Sequence, residues 1–71
     1  MYHITTDIAY TSTKSEIESF ASTYDSTITE FKTNGPAGGN HLVKFSSYTY
    51  ESIKKICGEF NIPSSKIIRS L

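Results

Sequence analysis

What this chain has little of narrows it first. With one cysteine, Cys57, and two histidines, His3 and His41, in 71 residues, there is no ligand set for a structural metal cluster and no disulfide framework. A lone cysteine fits a reducing compartment, and a cytoplasmic location is expected. The first residues, Met1 to Asp7, have neither the basic nor the apolar segment of a leader, and no run approaches the roughly 18 apolar residues of a membrane span. A membrane is therefore not expected among the partners. Tryptophan is absent and Arg69 is the only arginine. Seven basic and seven acidic side chains cancel, which argues against indiscriminate binding to nucleic acid. Length adds a further bound, because a single core in a chain under about 80 residues seldom supplies more than roughly 3–5 kcal/mol of net stability. Residues 1–71 are expected to form one domain, and dimerisation would help it.

What is present is a pattern written twice. Ile17, Phe20, Ala21 and Tyr24 stand at i, i+3, i+4 and i+7, one face of a helix. The same spacing returns 36 residues later as Ile53, Ile56, Cys57 and Phe60. Thr13 and Glu16 form a Thr-x-x-Glu capping box ahead of the first helix, and Thr49 offers a hydroxyl at the equivalent place ahead of the second. Asp25-Ser26 and Asn61 with Pro63 are the terminators.

Strands fill the intervals. Tyr2, Ile4, Thr6, Ile8 and Tyr10 alternate with His3, Thr5, Asp7 and Ala9, the period of a strand with one buried face. Residues 26–32 carry β-branched side chains, but Ile28 and Phe31 have opposite parity, so a bulge or a two-sided strand is implied. His41 to Ser46 forms a third strand with Val43 and Phe45 inward, and residues 64–71 have room for a short fourth. The order β-α-β-β-α-β is the split βαβ, or ferredoxin-like, arrangement of α+β class: two helices on one face of a four-stranded antiparallel sheet. The alternative is β-α-β-β-α with a disordered or extended C-terminal tail.

Candidate sites are few. The segment Asn34 to Asn40, with Gly35, Gly38 and Gly39, is expected to be mobile. Its backbone N–H groups can form an anion nest, yet it lacks both phosphate-loop patterns and joins strand to strand. The chain divides electrostatically, with net charge −4 over residues 1–30 and +4 over residues 31–71. Lys54, Lys55, Lys66 and Arg69 are the groups that would touch phosphates if nucleic acid were bound, but the third strand lacks the aromatic signature of an RNA-recognition sheet. His3 and His41 are expected to be solvated, with no metal between them and no serine or cysteine nucleophile beside either. Cys57 is expected to be a buried small hydrophobe, and Tyr24 a core residue. Tyr48 and Tyr50 flank the start of the second helix and can serve as amphipathic anchors.

No catalytic pair of carboxylates, no His-paired nucleophile and no cofactor site can be assembled from these residues. A small non-enzymatic interaction module is expected, a regulator or inhibitor that occupies the surface of another protein, as many small viral and mobile-element proteins do to host factors. Tyr48, Tyr50, Gly35, Gly38, Gly39, Asn40 and His41 are its expected contact residues. The rivals are nucleic-acid binding through the basic second half and small-ligand or phosphate binding at the Gly-rich loop. The apolar tail, Ile67, Ile68 and Leu71, also suggests a homodimer through the C-terminal strand, since one of two adjacent isoleucines on an edge strand must face away from the helices.

Overall fold

In a computed structural model, described over residues 1–33 and 39–70, the chain runs β1 (Tyr2–Ile8), α1 (Lys14–Thr23), β2 (Thr27–Lys32), β3 (His41–Ser47), α2 (Tyr50–Glu59), a 3-10 turn (Ser64–Lys66) and β4 (Ile68–Arg69). The four strands form one sheet in the order β2-β3-β1-β4, antiparallel throughout. Both helices pack on one side of it, α1 toward β2 and α2 toward β1 and β3. This is the ferredoxin-like α+β arrangement expected from the doubled pattern, and the tail does form a fourth strand.

Register explains the core. Ile4 pairs with Phe45 and Thr6 with Val43, so the apolar members of β1 and β3 share the helix side. In β2 the pairing jumps from Ile28↔Phe45 to Glu30↔Lys44, which makes Thr29 the extra residue of a bulge. The jump resolves the parity conflict, because Ile28 then faces Phe45 and Phe31 faces Val43 on one side. The buried core is Ile4, Ile8, Ile17, Ala21, Val43, Phe45, Ile53, Ile56 and Cys57. Phe20, Phe60 and Tyr24, expected inside, are only half-buried at its margin. They occupy the outer edges of the helical stripes, where they stack on one another and on Phe45. Burial also pushes the Cys57 thiol up from its ordinary pKa, away from the reactive thiolate.

The C-terminal ends of the helices repeat as faithfully as their faces. Ser26 N–H donates to the Ala21 carbonyl and Asp25 N–H to that of Ser22; Ile62 N–H donates to Cys57 and Asn61 N–H to Gly58. Each is a Schellman motif, with Asp25 (φ 52°) and Asn61 (φ 56°) in the left-handed conformation that these short polar side chains tolerate. The N-termini differ. At Thr13 both halves of the capping box form, Glu16 N–H to the hydroxyl at 3.2 Å and Thr13 N–H to the carboxylate at 2.9 Å. Thr49, against expectation, makes no side-chain cap. The residue three places on is Ser52, not Glu, and its hydroxyl takes the Thr49 hydroxyl at 2.6 Å.

β1 also ends earlier than its alternation suggested. A turn closes with Ser12 N–H on the Ala9 carbonyl, and it leaves Tyr10 outside the strand and exposed.

Phe45 is fully buried at the centre of the sheet. Truncation of such a ring costs about 3–5 kcal/mol, as much as the whole stability of a domain this small. Phe45→Ala is therefore expected to be largely unfolded by far-ultraviolet circular dichroism, whereas Ile53→Val should remain folded and lose about 0.5–1.5 kcal/mol in urea unfolding.

Candidate interaction surface

Three elements meet where β1 begins. Tyr2 projects to the helix side, Arg69 of β4 is its partner across the sheet, and Tyr50 opens α2. The Tyr2 and Tyr50 rings lie 5.5 Å apart at 77°, an edge-to-face pair, and the Arg69 guanidinium stands 6.0 Å over the Tyr2 ring. Tyr48, in the bend between β3 and α2, is 84 % exposed, and Tyr50 is 38 % exposed. Tyr50, one of the two tyrosines expected as anchors, is thus joined by two residues that the sequence alone does not connect with it, and Tyr48 stands two places before it in the chain. The sequence alone points Arg69 to phosphate contact and Tyr2 to a strand end, and only the pairing of β1 with β4 brings them together.

The remaining expected contact residues do not belong to this surface. His41 and Ser47 are the two ends of β3, roughly 20 Å apart at about 3.4 Å per residue, so Gly39, Asn40 and His41 lie at the far end. Gly35 and Gly38 lie outside the described residues, as does most of the segment expected to be mobile. His41 is not a solvated group. Its Nε2–H donates to the Ser12 carbonyl at 3.0 Å, its ring is tilted against Phe31 at 5.0 Å, and its Nδ1 is buried without a hydrogen-bond partner. The reason is register: His41 pairs with Ile8 and so falls on the helix side.

The open face of the sheet is mostly polar, with Leu42 and Ile68 as its exposed apolar side chains. Tyr2, Phe31 and Phe45 all face the helices, so among the described strand residues no phenylalanine or tyrosine is offered there for base stacking, and the one ring on that face, His3, is tied to Ser46 and Ser70. The candidate phosphate contacts do not gather on it either. Lys54 and Lys55 are exposed on α2, Lys66 is in the 3-10 turn, and Arg69 is on the helix side.

His3 corrects the expectation that neither histidine has a serine beside it. Its Nδ1 is 2.5 Å from Ser46 Oγ and its Nε2 is 2.6 Å from Ser70 Oγ. Ser46 Oγ lies 2.8 Å from Thr29 Oγ1, whose hydroxyl donates to the Lys44 carbonyl at 3.4 Å. A carbonyl only accepts, and that gives the row its direction: Thr29 to Lys44, Ser46 to Thr29, His3 Nδ1–H to Ser46, and Ser70 to His3 Nε2. A Ser-His pair results, but Nδ1 meets a hydroxyl where a triad has a carboxylate to stabilise the imidazolium. The row is a cross-strand brace spanning the sheet. His3 and His41 are on adjacent strands, but antiparallel pairing puts them at opposite ends and on opposite faces, so they do not converge on one ion.

Partial burial of the ring, then Lys44 and the N-terminal ammonium, hold the His3 pKa below its ordinary 6.5. The unfolded chain therefore takes up this proton more readily, and stability falls as pH drops through about 6.5. Carboxylates stay ionised in most of that range, so the effect is separable. Urea midpoints between pH 7.5 and 5.5 should decline in the wild type, and His3→Asn should flatten the decline.

Comparison with protein-family models, with curated proteins and with solved structures returns no match, so the geometry alone carries the functional reading.

Proposed function

We propose that this chain is a non-enzymatic interaction module that binds another protein through the Tyr2–Tyr48–Tyr50–Arg69 end, and that it regulates or inhibits its partner by occupying the partner's surface. The observation that carries this is Tyr48, a residue 84 % exposed two places before Tyr50, which belongs to an ordered cluster of two rings and a guanidinium. Tyrosine and arginine are the residue types that dominate binding energy at interfaces. Rings held by their neighbours also lose less freedom when a partner covers them. Affinity capture with wild type and with Tyr48→Ala/Tyr50→Ala should single out a protein retained only by the wild type. Its purified form should then bind the double variant at least roughly 30-fold more weakly, as expected for a hot spot of about 2 kcal/mol, while the variant stays folded and loses about 0.5–1.5 kcal/mol of stability with the Tyr2–Tyr50 ring pair. Equal retention, or capture of nucleic acid alone with steep salt dependence, would replace this reading.

A second copy of the chain is the partner favoured by one further observation. Of the adjacent isoleucines in the tail, Ile67 packs against the core while Ile68, on the two-residue edge strand β4, is 63 % exposed. Edge strands with an uncovered apolar side chain pair readily. Sedimentation at micromolar concentration should give a dimer mass, and deletion of residues 66–71 should return a monomer.

A further inference from the structure

At the end of the sheet opposite the tyrosines, a cavity of about 250 Å³ opens between the helices. Ile8 and Ile17 floor it, and the half-buried rings of Phe20 and Phe60, 5.4 Å apart, flank it. Glu16, from the first turn of α1, and Glu59, the last residue of α2, also line it, and among the described residues no basic side chain does. From this combination we infer that the groove receives the side chain of an arginine presented by a partner polypeptide.

Size is the first argument. Small-molecule and cofactor sites enclose roughly 300–1,000 Å³; this groove holds a single side chain. Charge is the second, because two carboxylates exclude phosphate and other anions while complementing a cation. Each carboxylate is already positioned by one oxygen. Glu16 Oε1 accepts Thr13 N–H at 2.9 Å, and Glu59 Oε1 accepts the Tyr24 hydroxyl at 2.8 Å. The second oxygen of each is left to accept, and neither carboxylate forms an ion pair with a described residue. The hydrogen bonds from Thr13 also hold the Glu16 pKa below its usual value, so the charge is present at neutral pH. Chemistry at the wall is the third argument. A guanidinium is planar, weakly hydrated and stacks on aromatic rings, whereas a lysine ammonium is compact and keeps its water. Phe20 and Phe60 therefore favour arginine, whose methylene stem can lie against the isoleucine floor.

Amide shifts in a nuclear magnetic resonance titration test this, with n-butylguanidinium, n-butylammonium and the neutral isostere n-butylurea as probes. Butylguanidinium should shift Ile17, Phe20 and Phe60 saturably, and roughly tenfold more tightly than butylurea. Glu16→Gln/Glu59→Gln should abolish that preference without unfolding the chain, because glutamine also serves in a capping box and keeps an oxygen for Tyr24. A Gly-Ser peptide with a single arginine should bind the same residues, and its citrulline counterpart should not. Equal binding of butylurea would make the groove merely apolar, and tighter binding of butylammonium would make it a lysine site. Shifts at the groove that grow with protein concentration, in the absence of any probe, would assign it to a second copy. Each of these outcomes overturns the proposal, as would a charge-neutralised variant that still prefers the guanidinium.

Discussion

Both halves of the molecule meet on one ring. Phe45 is carried by β3, the strand paired with both β1 and β2, and it takes Phe20 from α1 at 5.8 Å and Phe60, the C-cap of α2, at 6.3 Å. Because strand side chains alternate, a slip of one residue in β3 would move this ring to the open face and turn Ser46 or Lys44 inward. The helices could then bury neither aromatic edge. The bulge at Thr29 answers to the same constraint, since without it Ile28 and Phe31 could not both reach the helix side.

Much of this was legible because it is periodic. The 36-residue interval set helix against helix, and the opposite parity of Ile28 and Phe31 called for the bulge. The same interval reaches Asp25 and Asn61, terminators that prove to share one left-handed geometry. Where the repeat failed, it failed for a local reason: Thr13 has Glu three residues on and Thr49 has Ser52, so one hydroxyl caps a helix and the other bonds a side chain. Half-burial of Phe20 and Phe60 was hidden for a different reason. A helical wheel gives the direction of a side chain but not the width of what it packs against, and a sheet of four short strands does not reach past the edges of both stripes.

The candidate surface was legible only in part, because its members are distant in sequence. Tyr48 and Tyr50 stand out by position, between a strand and a helix. Tyr2 and Arg69 are 67 residues apart and meet through the β1–β4 register, which no local pattern announces. The serines on His3 were missed in the same way, since Ser46 and Ser70 become its neighbours only once both flanking registers are set. Placing the glycines and tyrosines in one contact set assumed that β3 brings its two ends together, and an extended strand of seven residues does the reverse.

Hydrogen-bond satisfaction separates the surfaces a partner can gain from touching. On the open face, Ser70, His3, Ser46 and Thr29 spend every one of their polar side-chain protons on one another and on the Lys44 carbonyl, so a ligand that seeks a donor there must break an internal bond for each one it makes, and the net return of such an exchange is small. The two ends of the helix side are different. At one, tyrosine rings are ordered by contact with each other and by the guanidinium, yet remain open to solvent; at the other, carboxylates are oriented by one oxygen and free at the second. In both places the cost of ordering has been met by folding, and the remaining bonding capacity faces outward. A sheet covered on one side by two short helices has little room for an enclosed site, and its capacity for recognition is concentrated where the helices begin and end.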